Sequence, residues 1–556
     1  MYNILVGGAA GQGIDTTVAN LEVLLKKAGF YVFTVRDFMS RVRGGHNFSL
    51  VRFGSEEVMS HSNRIDGIIA LDDDTVEIHK DNLTKDGFIL CDSKLSTTDP
   101  RAVKLNMDVM AKELGNIRVS NSIALGAILK LFGIGMDHVE ETMKTLVKEM
   151  YLDMNIKAVK LGYDSVTSKF TLSEGKFKDW MILTGSKSLA LGAIAAGLKF
   201  YSAYPMSPST AIMEYLASKS EKADFVVEQA EDEIAAINMA IGASFAGARA
   251  MTGTSGGGFC LKVEALGLSA IAEIPLVAVD VQRPGPATGL PTRTEQSDLK
   301  FVISAAQGEF PRMVIALRNH KDSFYQTIRA FDIAEKYQIP VIILSDQYLG
   351  DSTATVEPFD VSNIQVAEPS NVQYKEGEYL RYKLTDDGIS PRLIPGKTRN
   401  YVSADSDEHD ERGWITESGE VRNQMMDKRM KKLDLLREEL LEPEFLGAQT
   451  CDTLFVGWGS TYGPLAEAVK TLNEIEPGKY GALSFGDVYP LPAKTLTDMA
   501  KRVTRIINVE QNATGQLKDL IREQTGIECT SSILKYDGRQ ISGEEIVERI
   551  QKGGRM

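Results

Sequence analysis

The chain repeats one local pattern: a short apolar strand, a turn rich in glycine, then a helix. It appears first as Tyr2 to Val6, followed by Gly7-Gly8-Ala9-Ala10-Gly11-Gln12-Gly13 and helical sequence from about Thr16 to Ala28. It returns where the strand Ala248 to Met251 meets Gly253-Thr254-Ser255-Gly256-Gly257-Gly258, and again where Thr453 to Gly457 runs into Gly457-Trp458-Gly459-Ser460. Strands alternating with helices bury both faces of a sheet most simply when helices cover parallel strands. The pattern therefore predicts an α/β protein built from three α/β units. At roughly 150 residues per domain, the 556 residues hold three or four domains.

The first unit is expected over residues 1–165, with further strands at 29–35, 67–71 and 87–91 in a parallel sheet. The polar stretch Tyr163 to Lys178 reads as a linker. A second unit is expected over 180–352, with strands at 225–227, 248–251, 276–281, 313–316 and 341–344. In its helix Asp232 to Phe245, the spacing of Ile234, Ile237, Ile241 and Phe245 puts them on one face. Residues 353–447 turn polar, carry Pro358, Pro369, Pro391 and Pro395, and read as a connecting arm. The charged run Arg422 to Glu442 within it reads as a solvated helix. The third unit is expected over 448–556.

The net charge of −14 argues against a general nucleic-acid role, because phosphate binding needs a basic surface. The N-terminus has no basic segment followed by a long apolar one, and no run of about 18 apolar residues occurs, so a soluble cytoplasmic protein is expected. Cys91, Cys260, Cys451 and Cys529 lie far apart, so neither a disulfide framework nor an iron–sulfur cluster held by this chain alone is expected. The six histidines show no metal-binding spacing, and no metal ligands are assigned.

Five segments carry chemistry. The loop Gly7 to Gly13 suits a phosphate or pyrophosphate at a helix start, but also fits a tight turn that needs glycine. Arg41-Val42-Arg43-Gly44-Gly45-His46 adds cations beside a second glycine pair, either for an anionic ligand or as a basic surface turn. Tyr204-Pro205-Met206-Ser207-Pro208-Ser209-Thr210 is stiffened by its prolines and rich in hydroxyls; Ser209 or Thr210 could also simply cap the next helix. In Glu228-Gln229-Ala230-Glu231-Asp232-Glu233 a helix dipole explains most of the acids. Glu233, however, is followed by Ile234, Ala235, Ala236 and Ile237, a setting that suits burial. Arg283, in Gln282-Arg283-Pro284-Gly285-Pro286-Ala287-Thr288-Gly289, suits a carboxylate or the surface. The loops at 204–210, 228–233, 253–258 and 282–292 all follow strands, where ligands bind in open α/β sheets.

On these residues the chain resembles the 2-oxoacid:ferredoxin oxidoreductases, in the form that fuses the γ and α domains. The GGAAGQG and RGGH segments resemble the γ domain. YPMSPST, EQAEDEIAAINMAIGAS, GTSGGG and RPGPATGLPTRTEQSDL resemble the pyrimidine-type domain of the α subunit. Ser403 to Glu411 and Val509 to Leu517 resemble its remaining parts, and the last unit resembles a transketolase C-terminal-type domain. The resemblance implies a Rossmann-like γ domain and a thiamine diphosphate-binding fold. It implies that Glu233 is catalytic and hydrogen-bonds the aminopyrimidine of thiamine diphosphate. It makes Ser207, Arg283 and Thr288 candidates for substrate binding; where the family has a threonine in YPITP, this chain has Ser207. The γ domain is expected over the site on the coenzyme A side, with Gly11, Gln12, Gly13 and Arg43 as candidate contacts.

The resemblance also implies a missing half. Thiamine diphosphate enzymes usually hold the diphosphate and Mg²⁺ through a GDG sequence and a later asparagine motif, and no GDG occurs here. A β subunit is therefore expected to bring Mg²⁺ and a [4Fe–4S] cluster, in an α2β2 assembly that passes electrons to ferredoxin. The implied reaction is coenzyme A-dependent oxidative decarboxylation of a 2-oxoacid, 2-oxoglutarate before pyruvate or a branched-chain 2-oxoacid. Two other readings stand beside it: a catalytically inactive fused scaffold, and a dinucleotide oxidoreductase acting alone through Gly7 to Gly13. The second is disfavoured by the glycine spacing.

Overall fold

A computed structural model describes residues 1–40, 45–366 and 374–553. It forms three sheets within two compact units: Met1–Thr184 with Asp351–Pro358, and Gly185–Gly350 with the chain from Phe359 on. The fold is mixed α/β, with mostly parallel strands.

The first unit contains β1 (Tyr2–Ala9), β2 (Tyr31–Asp37), β3 (His46–Gly54), β4 (Ile65–Ala70), β5 (Leu83–Asp92), β6 (Ala102–Leu105) and β7 (Met181–Thr184), with a returning strand, β14 (Thr353–Val356). Their order is β6-β5-β4-β1-β3-β2-β14-β7. The sheet is not parallel throughout, as the strand–helix alternation predicted. β3 runs antiparallel to both β1 and β2, and β14 antiparallel to β2 and β7. Only residues 38–45 separate β2 from β3, too few for a helical crossover, and the two strands pair antiparallel. Residues 165–180 have no regular structure, yet they are docked: Phe177 is buried and Phe170 stacks on Phe132 with ring centroids 4.9 Å apart. β7 and β14 lie outside residues 1–165, and β14 opens the segment read as an arm.

The second unit holds two sheets. The first contains β8 (Phe200–Ala203), β9 (Val226–Gln229), β10 (Ala250–Thr254), β11 (Leu276–Gln282), β12 (Met313–Ala316) and β13 (Pro340–Asp346). The second contains β15 (Glu444–Gly447), β16 (Thr453–Trp458), β17 (Tyr480–Phe485), β19 (Arg505–Glu510) and β20 (Ser531–Leu534). One strand from the third predicted unit, β18 (Asp487–Tyr489), instead pairs antiparallel with β12 and gives the order β18-β12-β13-β11-β10-β8-β9. The two sheets share a core that includes Ile237, Phe259, Leu299, Val302, Val456, Trp458 and Phe485. Gln296 stitches them together: its Nε2 donates to Trp458 O at 2.8 Å, its N to Gln511 O at 2.8 Å, and Asn512 Nδ2 donates to its carbonyl at 3.0 Å.

The helix Gly419–Glu438 corrects the expectation of a solvated face. Met425, Leu433 and Leu436 are buried, and so are Lys428, Arg429 and Lys432. Lys428 and Lys432, one turn apart, both reach Glu273, a fully buried residue with φ of 50° between the helix Val263–Ile271 and β11. The Lys432 pair measures 2.5 Å. Arg381 and Tyr382 donate to the carbonyls beside it: Arg381 Nη2 to Glu273 O at 2.7 Å, and Tyr382 Oη to Ala272 O at 3.2 Å. Burial penalises the Glu273 carboxylate, but Lys432, Lys428 and Arg381 outweigh that and hold its pKa well below the ordinary range. Burial brings Lys428 down to about 8, against the pull of Glu273.

Breaking one side of a buried ion pair leaves uncompensated charge, at a cost of about 3–5 kcal/mol. Glu273→Gln is expected to lower the unfolding free energy by about that much, read as a lower urea midpoint. The exposed pair Lys144–Glu140 is the control, and Glu140→Gln is expected to leave the midpoint unmoved.

Candidate active site

β11, β10, β8 and β9 are adjacent and parallel, so their carboxyl ends lie side by side. The loops singled out in the sequence leave from those four ends. Cross-bonds show that they converge. Arg283 Nη1 donates to Ser207 O at 2.7 Å, and Thr254 Oγ1 lies 3.8 Å from Met206 Sδ.

Glu233 is the first residue of the helix Glu233–Phe245. Asp232 caps that helix: its extended backbone lets Oδ1 accept from Ala235 N at 2.8 Å. The buried face is Ala236, Ile237, Ala240, Ile241 and Ser244, whereas Ile234, expected on it, is 53% exposed. Ile234 shares the stripe of Ile237 and Ile241 but stands in the first turn, at the exposed N-terminal end of the helix. Glu233 is 4% exposed, and its Oε1 has no hydrogen-bond partner.

The loop Gly253 to Gly258 makes room for this carboxylate. A Cβ on Gly258 would stand 2.4 Å from Glu233 Oε1 and 2.2 Å from Thr254 Oγ1. One on Gly256 would stand 2.4 Å from Asp298 Oδ2, and one on Gly253 2.5 Å from Tyr201 Oη. None of these three glycines has a positive φ. They are needed for space rather than for conformation. Lys262 follows this loop, is fully buried, and donates to Thr252 Oγ1 at 2.8 Å and to the Glu233 carbonyl at 3.3 Å. Burial brings its pKa down to about 8, although Glu233 and Asp232 favour its charge.

The structure brings Ser207 and Arg283 together. Ser207 is exposed, and Arg283 is part-buried, with burial lowering its pKa. Thr288 is exposed further along the Arg283 loop. Ser209 stands at the start of the helix Thr210–Ala217 but makes no side-chain cap bond. Its Oγ donates instead to Met206 O at 2.7 Å and closes the turn.

The N-terminal loop is described within its own unit. Gly11 and Gly13 have φ of 92° and 86°, conformations that favour glycine. Gly11 and Gln12 are exposed, and no atom lies within 4 Å of a Cβ built on Gly11. The Gln12 amide serves the turn: Ala9 N donates to Oε1 at 2.7 Å, and Nε2 donates to Leu71 O at 3.4 Å. Asn121 Nδ2 donates to Gln12 O at 2.9 Å and fills the space where a side chain on Gly13 would go. Arg43 lies outside the described residues, with Arg41, Val42 and Gly44.

Sequence reasoning missed Lys262, Asp280 and Asp298. Asp280 did leave a signal: it is a lone acid inside the apolar strand Leu276-Val277-Ala278-Val279-Asp280-Val281. Among the described residues, no group of three or more His, Cys, Asp or Glu side chains forms a metal site, and no helix is long and apolar enough to cross a membrane.

Residues 191–428 match the family model for pyruvate flavodoxin/ferredoxin oxidoreductase, thiamine diphosphate-binding, and residues 3–165 match that for pyruvate ferredoxin/flavodoxin oxidoreductase. The 2-oxoacid:ferredoxin oxidoreductase subunit alpha of Sulfolobus sp is 33% identical, over 99% of this chain and 96% of its own. A 2-oxoglutarate oxidoreductase subunit of Mycobacterium tuberculosis is 30% identical, over 86% of this chain and 76% of its own. A solved 2-oxoglutarate:ferredoxin oxidoreductase from Magnetococcus marinus, with 2-oxoglutarate, coenzyme A and succinyl-CoA bound, matches with a TM-score of 0.93. It is 32% identical, over 99% of each chain. Fold and loops define an α/β oxidoreductase subunit built around a thiamine diphosphate-binding domain. The chain belongs to the 2-oxoacid:ferredoxin oxidoreductase family, as an alpha subunit.

Gly258→Ala is expected to displace the Glu233 carboxylate and to cost about 1–3 kcal/mol of stability, the range for overpacking. Urea unfolding reads the cost, and a crystal structure of the variant reads the displacement.

Proposed function

We propose that this chain supplies the aminopyrimidine half of a thiamine diphosphate site. In this reading it catalyses, with a β subunit, the coenzyme A-dependent oxidative decarboxylation of a 2-oxoacid to an acyl-CoA and CO2, with reduction of ferredoxin. The observation that carries the reading is the Glu233 carboxylate, buried with an oxygen that no group among the described residues satisfies. Such an atom usually has a partner, and an aminopyrimidine nitrogen fits this one. The bound cofactor supplies a nucleophilic carbon and an electron sink.

The chain's own residues orient and polarise. Glu233 holds or gives a proton at the ring nitrogen, and the cap at Asp232 and the glycine at 258 fix where its carboxyl group stands. Arg283 holds the carboxylate of the 2-oxoacid, while the Ser207 hydroxyl and Thr288 line the approach to it. Arg283's bond to the Ser207 carbonyl orients the guanidinium, leaving its other donors for substrate. The exposed Gly11, with Gln12 and Gly13 shaping its turn, is the candidate contact for coenzyme A; Arg43 is a further candidate. The similar Magnetococcus marinus enzyme, solved with 2-oxoglutarate and coenzyme A bound, supports 2-oxoglutarate as the preferred substrate.

The other half falls to the partner. The sequence offers no GDG motif and no clustered cysteines, so Mg²⁺, the diphosphate and a [4Fe–4S] cluster are assigned to a β subunit in an α2β2 assembly. Tyr204, Ile234, Leu261 and Leu290 are 41–53% exposed on the loops and helix starts of the site, apolar surface that suits such a partner.

Glu233→Gln is expected to lower turnover at least about 10²-fold in 2-oxoacid- and coenzyme A-dependent viologen reduction by chain and partner, assayed without oxygen. Near-normal turnover removes Glu233 from its role. Activity of the chain alone removes the shared site.

A further inference from the structure

Asp280 and Asp298 stand beside the glycine loop, and the proposed function assigns neither a role. Asp280 is fully buried near the end of β11, and both of its oxygens lack a donor. Asp298, just before the helix Leu299–Ser304, has a buried Oδ2 that also lacks one. The two carboxyl groups are within hydrogen-bonding reach of each other. Asp298 N donates to Gln282 Oε1 at 3.1 Å, which ties the segment before that helix to the end of β11.

The groups facing the pair are the Cys260 thiol and Glu295, with Asp537 acting on Glu295 in turn. None is a cation, and among the described residues no lysine or arginine pairs with either acid. Two desolvated carboxylates without a counter-charge repel each other strongly unless a proton lies between them.

The pair touches the loop at two points. Asp280 is the register partner of Thr254 on β10, and the Thr254 hydroxyl shares the space at Gly258 with Glu233. Asp298 Oδ2 lies against Gly256. We propose that Asp280 and Asp298 hold one proton between them at neutral pH, and that this acid–carboxylate pair positions the loop Gly253 to Gly258 against Glu233. The effect on turnover rests on the role proposed for Glu233; the shared proton does not.

Burial, with the neighbouring Asp298 adding to it, raises Asp280 well above the ordinary aspartate range. Burial pushes Asp298 up to about 6, although the bond from Asp280 favours its charge. Both groups bind protons more tightly folded than unfolded. Their contribution to stability is full below the ordinary aspartate range and is lost as pH rises through about 6 and beyond.

The amide of asparagine mimics the protonated partner, and leucine does not. The full-length chain should therefore show, by infrared spectroscopy with labelled aspartate, a protonated carboxyl band at neutral pH that Asp280→Asn and Asp280→Leu both remove. The fall in urea midpoint between about pH 5 and pH 8 should be flatter in Asp280→Asn than in the native chain. Crystal structures should show the glycine loop in place in Asp280→Asn and shifted in Asp280→Leu. With the partner present, Asp280→Leu should lose about 10-fold or more in turnover, the scale of a misplaced reacting group, while Asp280→Asn stays within a few-fold of native. Absence of the carboxyl band, or an unshifted loop in Asp280→Leu, overturns the proposal. If the native complex reduces no viologen with any 2-oxoacid, the functional reading fails. The band, the midpoints and the loop still decide the shared proton.

Discussion

The buried carboxylate of Glu233 is the constraint around which the second unit is arranged. A carboxylate taken out of water without a partner is costly, and few positions in a fold tolerate it. Here the start of a helix provides free N–H groups and a favourable dipole, and Asp232 caps the turn that places Glu233 there. The lysine behind it is bonded to the Glu233 carbonyl and brings positive charge close without closing off Oε1. Three glycines of the adjacent loop then leave the space that Glu233, Asp298 and Tyr201 occupy.

The loops are held from below by contacts distant in sequence. Gln296 bonds to Trp458, Gln511 and Asn512, so the segment that carries Asp298 is fixed to the last sheet. Glu510 in turn accepts from the Trp458 indole and from the N-terminus of the helix Gln516–Thr525. On another side, Glu273 anchors the helix Gly419–Glu438 just before β11 begins. The strand whose far end carries Asp280 and Arg283 is thereby fixed at its start as well.

Much of this was legible in the sequence, and the exceptions have physical reasons. Strands β10 to β13 and the glycine loops were found because short apolar runs bounded by glycine have few other folds open to them. The burial of Glu233 followed from its place among apolar helix residues. The antiparallel β3 was missed because both of its faces mix polar and apolar residues, Asn47 and Ser49 with Val51 and Phe53 on one and His46 and Arg52 with Phe48 and Leu50 on the other, so no clean alternation marks it. β14 and β18 were missed because a strand's sheet is chosen by partners far along the chain. The helix Gly419–Glu438 misled because its buried face is basic, and a lysine buried against a distant glutamate reads in sequence as a solvated one. The reading of Ser209 or Thr210 as a cap failed because Ser209 closes its own turn instead.

The family fixes the class of chemistry. The most direct test of the shared site is a structure of the chain with its partner and thiamine diphosphate. Glu233 Oε1 is expected about 2.7 Å from the N1′ atom of the aminopyrimidine, in a hydrogen bond to the oxygen left unpartnered here. An aminopyrimidine bound elsewhere, with Oε1 satisfied by water or by a side chain of the partner, would contradict it.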